Sequence, residues 1–232
     1  MAKTIDDFQK RLSTLIQDPS GKLPDEDRRA IIAKAIVQVF SKDRPHVKVV
    51  EILGNGTNDI ALPGEFVDGF SLVSKVEYPI GNIPATYIDD ADYGLYRTPT
   101  GLKLRFMSAA PADGEKIWST FTAPHKDDGS TIADVDFEAV CDCAAAIALE
   151  VLATKYGGTV DPQISADVVN WRSKSQEYLA LAKAAWQRYY KALGIQAGGS
   201  SEGAGQSAAV AVGEMETGLS FGGDRLTHQR RR

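Results

Sequence analysis

The sequence predicts an α+β protein, a helical bundle with an inserted small antiparallel β domain and an extended C-terminal tail. Apolar residues recur at three- and four-residue spacing in residues 1–45 and 131–195, as in amphipathic helices. Residues 46–130 are instead rich in Val, Ile, Thr, Tyr and Phe, with frequent Gly and Pro, as in short strands joined by turns. Residues 196–232 begin with a Gly/Ser-rich run, a composition typical of linkers.

The first segment is predicted to form two helices. Thr4 and Asp7 have the spacing of a capping box, and apolar residues follow at helical intervals. A Pro-Ser-Gly run at residues 19–21 ends this helix. Pro24 fits the first turn of a second helix, and the Arg44-Pro45 step ends it because the residue before proline disfavours helical angles. The pair predicts an αα-hairpin.

The middle segment is predicted to contain several short strands. Residues 102–106 alternate between apolar and basic side chains, as a strand with one buried face does, and residues 117–122 are a second candidate. Turn sequences lie at residues 54–56, 98–101 and 111–114. We interpret Gly-Asn-Gly at residues 54–56 as a hairpin turn, because the Lys-Ser/Thr of a phosphate-binding loop does not follow it.

The third segment carries the strongest helical signal. Residues 137–156 are rich in Ala, Leu, Ile and Val up to a Gly-Gly pair, and a helix so apolar must be buried in its own bundle or against neighbouring subunits. Residues 161–169 fit a short helical turn, and residues 175–193 fit an amphipathic helix that closes at Gly194. The side chains assigned to subunit packing are Phe137, Val140, Ala144, Leu152, Tyr178 and Trp186.

No catalytic, cofactor or metal site is predicted. Cys141 and Cys143 are two positions apart on a helix, where side chains diverge, so we expect them to fill a helix interface. The three histidines lie in three different segments, and a zinc site needs three or four ligands. We therefore expect a protein that is not an enzyme and needs no cofactor.

The composition of the chain argues against nucleic acid and membranes as binding partners. The net charge of −5 gives no overall basic footprint for nucleic acid. The first residues are polar, unlike a secretory signal, and no run reaches the roughly 20 apolar residues of a membrane span. We expect a reduced protein made in the cytoplasm, without a membrane partner.

Two kinds of side-chain cluster have a structural and a functional interpretation. Asp89, Asp90 and Asp92 form one acidic cluster and residues 127–129 another; we expect solvated turns, since the calcium-loop spacing is missing. The aromatic residues Tyr78, Tyr87, Tyr93 and Tyr96 would form either core and cross-strand packing, which we favour, or a stacking surface for sugars or bases.

The C-terminal tail joins a linker to a basic end. Arg230, Arg231 and Arg232 follow the Gly/Ser-rich run and a mixed segment. Tethering by a linker raises the effective concentration of the end near its target. We favour an acidic protein surface as that target over DNA phosphates, although arginine binds both.

The chain resembles the head-to-tail connector (adaptor) proteins of tailed bacteriophages over roughly residues 75–195. The matching motifs are residues 136–140 (Asp-Phe-Glu-Ala-Val), 152–156 (Leu-Ala-Thr-Lys-Tyr), 161–167 (Asp-Pro-Gln-Ile-Ser-Ala-Asp) and 173–178 (Ser-Lys-Ser-Gln-Glu-Tyr), with Tyr87, Tyr93, residues 98–104 and residues 122–125 before them. Each motif is moderately specific, and their order along the chain is the stronger signal.

The resemblance implies a structural role in the virion neck. Such proteins form a homo-oligomeric ring, usually dodecameric, beneath the portal protein, dock a tail or tail-completion protein, and let DNA pass through a channel without sequence-specific binding. Their C-terminal segments often extend to the portal. On this basis the portal-docking residues are Phe221, Asp224, Arg225, Leu226, His228, Arg230, Arg231 and Arg232. The β insert is larger here than in minimal helical members.

Two rival interpretations stay open. The chain would also fit another structural subunit of a phage tail or baseplate, with a different ring order and partner. A carbohydrate-binding module for host attachment would use Tyr87, Tyr93 or Trp118.

Overall fold

The structure is a computed structural model that describes residues 3–18, 21–108, 110–157 and 174–195. The predicted helical turn at residues 161–169 and the C-terminal tail, with all of its portal-docking residues, lie outside the described residues. Within them the α+β fold class is confirmed, since helices flank two small antiparallel sheets.

The helices form one bundle. They are α1 (Ile5–Leu15), α2 (Asp25–Lys34), a π-helical segment (Ala35–Phe40), α3 (Ser41–Asp43), α4 (Phe137–Gly157) and α5 (Lys174–Leu193). The capping box is present, because the Thr4 N–H donates to the Asp7 carboxylate at 2.9 Å. The α5 helix ends at Gly194, whose φ of 73° suits glycine.

The first helical hairpin packs on α4. The α1 helix buries Phe8 and Leu12, and α4 is buried along most of its length. Gly129 lies against this core with a φ of +77°, and a Cβ placed there would lie 2.5 Å from the Phe8 ring. The loop can therefore approach Phe8 only because residue 129 is glycine.

The residues between α3 and α4 contain two three-stranded antiparallel sheets. The first sheet has the order β1 (His46–Leu53), β6 (Lys116–Ala123), β3 (Val73–Glu77), and the second has the order β2 (Asp59–Ala61), β5 (Gly101–Phe106), β4 (Tyr93–Thr98). Their inner faces share one apolar core, which includes Ile52, Ile117, Leu104 and Phe106. The Pro99-Thr100 pair forms the two-residue turn between β4 and β5.

The hairpin prediction for residues 54–56 was wrong. This segment joins β1 of the first sheet to β2 of the second, and those strands are not paired. The Gly54 N–H donates to the Glu115 carbonyl at 2.7 Å, and a Cβ on Gly54 would collide with the Ala112 carbonyl. The glycine is therefore needed for close approach of the loop at residues 111–115, and not for a tight turn.

No helix among the described residues has the length and apolar character to cross a membrane.

Candidate interaction surface

The first sheet has one covered and one open face. Along β1 the side chain of Ile52 points into the shared core, whereas Val47, Val49 and Leu53 point the other way and expose 53%, 59% and 58% of their surface. On β6 the same alternation buries Ile117 and leaves Trp118 40% exposed. Because successive side chains of a strand point to opposite faces, these exposed residues share one face.

The register of the three strands places exposed residues of all three on this face. Trp118 lies opposite Glu51 of β1 on one side and Glu77 of β3 on the other. Leu72, which is 67% exposed, pairs with Thr122 through backbone and side-chain hydrogen bonds just before β3. We call the surface of Val47, Val49, Leu53, Leu72 and Trp118 the outer sheet face. A group of large exposed apolar side chains on one face is a candidate interaction site.

Charged groups cross the outer sheet face at one end. The Lys116 ammonium lies 2.9 Å from the Glu51 carboxylate, and this hydrogen-bonded ion pair is the main cause that lowers the pKa of Glu51. Lys75 lies over the ring of Tyr87, 5.3 Å from its centroid. By the register, the Glu51–Lys116 pair lies between Leu53 and Trp118, so the outer sheet face mixes charged and apolar side chains.

The residues assigned to subunit packing lie mostly inside the chain itself. Val140, Ala144 and Leu152 expose 1% or less of their surface and belong to the core of the bundle. The Phe137 ring packs on Phe8 at 4.8 Å between centroids. Of the two locations considered for the apolar helix, the structure therefore shows burial in its own bundle, and contact with neighbouring subunits stays a prediction.

The two remaining residues of that set are half-buried on α5. Tyr178 stacks on Tyr156 with ring centroids 5.2 Å apart. The Trp186 indole N–H donates to Glu150 at 2.7 Å. Both side chains therefore tie α5 to α4 within one chain, and the structure brings neither of them to the outer sheet face.

A buried histidine joins the bundle to the sheets. His125 Nε2 lies 2.9 Å from the Arg44 carbonyl and Nδ1 lies 3.0 Å from the Thr131 hydroxyl. Since a carbonyl only accepts, Nε2 carries the proton and Nδ1 accepts from the hydroxyl. Burial is the main cause that lowers the pKa of His125, so the neutral ring is favoured.

The junction also uses the π-helical segment. The hydroxyl of Ser41 donates to the Ile36 carbonyl at 2.8 Å and accepts the His125 backbone N–H at 2.9 Å. The Arg44 guanidinium pairs with Asp136 just before α4. The chain therefore enters and leaves the β region through one hydrogen-bonded cluster, which fixes the sheets relative to the bundle.

The cysteines are buried and reduced in α4. Burial is the main cause that raises the pKa of Cys141, to about 12, and burial also raises the pKa of Cys143. A thiolate is the reactive form of cysteine, and burial here favours the neutral thiol of both residues. Among the described residues no group of three or more His, Cys, Asp or Glu side chains could hold a metal ion.

The aspartates of the predicted acidic cluster serve a turn. Asp89 accepts the Ala91 N–H at 3.0 Å, and Asp90 accepts the Tyr93 hydroxyl at 2.7 Å. At residues 127–129, Asp128 accepts the Ser130 N–H at 2.8 Å. Both clusters are turns, as we predicted.

The four tyrosines do not act as one group. Tyr78 and Tyr93 pack against the core shared by the two sheets, whereas Tyr87 and Tyr96 are 53% and 41% exposed. The Arg105 guanidinium lies 3.3 Å from the centroid of the Tyr96 ring. Lys75 of β3 likewise lies over the ring of Tyr87, which bridges to the same strand. Tyr78 and Tyr93 therefore follow the core part of the favoured interpretation, and Tyr87 and Tyr96 follow its cross-strand part.

Sequence reasoning missed the outer sheet face. The signal was present in β1, where residues 47–53 (Val-Lys-Val-Val-Glu-Ile-Leu) place apolar side chains on both alternating sets. A strand with one solvated face has polar residues in one set. Two apolar sets therefore indicate that both faces of the strand meet something.

Comparisons with known proteins give limited information. No protein-family model and no curated protein matches the chain. A chain from the neck of an empty gene transfer agent particle, computed with C6 symmetry, aligns at 15% identity and a TM-score of 0.30, covering 79% of this chain and 89% of its own. A chain from the virion of a native gene transfer agent particle aligns at 14% identity and a TM-score of 0.27, covering 79% and 88%. Scores this low establish neither a shared fold nor a shared role.

Proposed function

We propose that this chain is a structural subunit of a phage or phage-like particle. In this proposal identical copies form a ring in the neck, as head-to-tail connectors do, with the portal protein on one side and a tail or tail-completion protein on the other. DNA passes through the channel. The resemblance of the α4 and α5 sequences to connectors sets the class of protein, and the number of twelve copies comes from that resemblance alone.

The outer sheet face is the observation that supports assembly. Five large apolar side chains share one exposed face, although the chain buries a full core in its bundle and another between its sheets. Covering such a face contributes roughly 25 cal/mol per Å² of apolar surface removed from water. Since α4 is already covered by its own chain, we assign the contact between copies to the sheets.

The negative net charge of the chain is compatible with passage of DNA through a channel. The chain carries a net charge of −5, and phosphate binding comes from Lys and Arg neutralising the backbone. An acidic ring holds DNA weakly, so the DNA is free to slide. We therefore expect purified rings to bind duplex DNA without sequence preference, and only at low salt.

A non-enzymatic role belongs to the same proposal. The two thiols are buried with raised pKa values, and His125 is held by Arg44 and Thr131 at the junction. Each of these groups has a structural partner or a structural environment that accounts for it.

The ring is tested by native mass spectrometry and class-averaged electron microscopy of the protein, alone and mixed with its portal. We expect a ring in at least the mixture. The variant Val49→Asp places a charge on the outer sheet face and should abolish the ring. The matched control is Leu179→Asp on α5, because Leu179 is 51% exposed and Val49 is 59% exposed. A ring that survives Val49→Asp overturns the role of the sheet face, and a monomer under all conditions overturns the ring.

The portal contact is tested separately. Residues 221–232 lie outside the described residues, and the resemblance assigns them to the portal. A chain lacking residues 213–232 should keep its circular dichroism spectrum and lose portal binding in a pull-down. Unchanged portal binding would refute this assignment.

A second candidate function is glycan binding for host attachment. Tyr87 pairs with Glu77 on the far side of β3, and Glu77 lies opposite Trp118, so Tyr87 and Trp118 share the outer sheet face. Tyr93 is half-buried elsewhere and is not part of this group. Glycan-array binding that is lost in Tyr87→Ala and Trp118→Ala would favour this candidate over the neck subunit.

A further inference from the structure

The β1 strand has a free edge. It pairs with β6 on one side, and no described strand lies on its other side. The strand is eight residues long, or about 26 Å. Free edges of this length invite pairing, and native proteins usually shorten, charge or cover them.

The alternation of hydrogen bonds along the β1–β6 ladder shows which backbone groups of β1 have no partner in β6. The Gly54 N–H donates to the Glu115 carbonyl, which places the pair 54 and 115 in the hydrogen-bonded class of the β1–β6 ladder. Classes alternate along an antiparallel ladder, so Lys48, Val50 and Ile52 bond to β6. The N–H and C=O groups of the odd-numbered residues Val47, Val49, Glu51 and Leu53 therefore point to the free edge.

The described chain ends close to this edge. The α5 helix runs antiparallel to α4, because Ser175 contacts Ala153 near one end and Arg188 pairs with Asp142 near the other. Its last turns therefore lie at the end of the bundle from which the sheets extend. The Tyr189 hydroxyl donates to Asp43 at 2.5 Å, and β1 begins at His46, within about 11 Å along the chain.

The sequence beyond Ile195 contains a segment that suits the edge. Residues 208–212 (Ala-Ala-Val-Ala-Val) form an uncharged apolar run, in which the two β-branched valines favour a strand. Residues 196–207 before it reach up to roughly 40 Å when extended, which is longer than β1. Val210 and Val212 fall on one face of a strand and would continue the outer sheet face beyond Val47 and Val49.

We infer that residues 208–212 add as a strand to the free edge of β1 in the same chain. Main-chain hydrogen bonds to the odd-numbered residues hold the added strand, as in β-strand addition generally. The covered edge then no longer recruits unrelated chains. This inference does not rest on the neck role, since it concerns the purified chain without a portal.

Amide hydrogen exchange of the full chain, resolved by NMR, tests this inference. The variant carries Val210→Asp and Val212→Asp, and the matched control carries Leu219→Asp, a similar change outside the run. If the strand is added for about nine-tenths of the time, amides at the open edge exchange about tenfold faster in the variant than in the wild type or the control. The amides of Lys48, Val50 and Ile52 should not change, because β6 holds them.

Each outcome decides the inference. Equal exchange of Val47, Val49, Glu51 and Leu53 in wild type and variant overturns it. If the protection of these amides disappears when the protein is diluted, residues 208–212 of a second copy cover the edge, and this result overturns the same-chain pairing. Protection that is independent of concentration and lost only in the double variant supports it. Ring formation and portal binding are separate measurements, so their failure leaves this result intact.

Discussion

Removing the Tyr189 hydroxyl tests how the bundle holds the start of the β region. The Tyr189 ring is fully buried, and its hydroxyl donates to the Asp43 carboxylate at 2.5 Å. Burial is the main cause that raises the pKa of Tyr189, so the phenol stays a donor throughout the usual pH range. Tyr189→Phe keeps the ring packing and removes this one bond.

The magnitude follows from the kind of bond. A hydrogen bond to a charged group contributes about 1.5–3 kcal/mol, and the carboxylate loses its donor. Asp43 is half-buried, so water replaces part of the lost bond, and we expect the free energy of unfolding to fall by about 2 kcal/mol. For a chain of this size that corresponds to a melting temperature lower by about 4–8 °C.

Urea unfolding provides the assay, with circular dichroism for the helices and tryptophan fluorescence, to which Trp186 contributes, as a second probe. Trp186 lies edge-on to Tyr189 at 5.8 Å between centroids. Tyr178→Phe is the control, since its hydroxyl donates to the Gln17 carbonyl at 3.2 Å in an exposed setting and should contribute under about 1 kcal/mol. A double-mutant cycle with Asp43→Ala isolates the pair. A loss below about 0.5 kcal/mol in Tyr189→Phe, within the range of neutral surface changes, would refute the reasoning.

Three further predictions concern the core and the junction. Gly129→Ala should lower the free energy of unfolding by about 2 kcal/mol or more, because φ is +77° and the Cβ meets a ring at 2.5 Å. The control Gly64→Ala has open space and should change little in the same urea titration. Burial lowers the pKa of His125 from its ordinary 6.5, so its contribution to stability, present above pH 6.5, is lost as the pH falls below it. The urea midpoint should therefore fall less between neutral and mildly acidic pH in His125→Gln than in wild type. An equal fall in both proteins would contradict the lowered pKa of His125. The Cys141 thiol, buried with a pKa of about 12, should resist a thiol reagent in the native protein and react after unfolding; native labelling would show that α4 opens.

Sequence patterns predicted the elements whose cause is local. The capping box of α1 and the end of α5 at Gly194 follow from residues within one turn. The β5 strand follows from strict alternation over residues 102–106. In each case the neighbouring side chains determine the backbone, so no knowledge of the tertiary fold is needed.

Features that depend on distant residues were not predictable. Ala35–Phe40 reads as an ordinary helix, yet it is π-helical where Ser41 must meet the backbone of His125. The crossing of residues 54–56 between two sheets depends on the loop at residues 111–115, far along the chain. Which face of β1 is covered was likewise undecidable, because both alternating sets of that strand are apolar.

The distribution of buried surface separates two tasks within the chain. The α4 helix buries its apolar surface against α1, α2 and α5 of the same chain. Little of that surface is therefore left for contact with a neighbouring copy. The outer sheet face and the free edge of β1 belong instead to the β region. His125 and the Arg44–Asp136 pair fix the junction between this region and the bundle. A loosened junction would change the direction of that face without unfolding either core. His125→Gln should therefore impair assembly at neutral pH more than its effect on stability explains, and equal loss of both would mean that the junction serves stability alone.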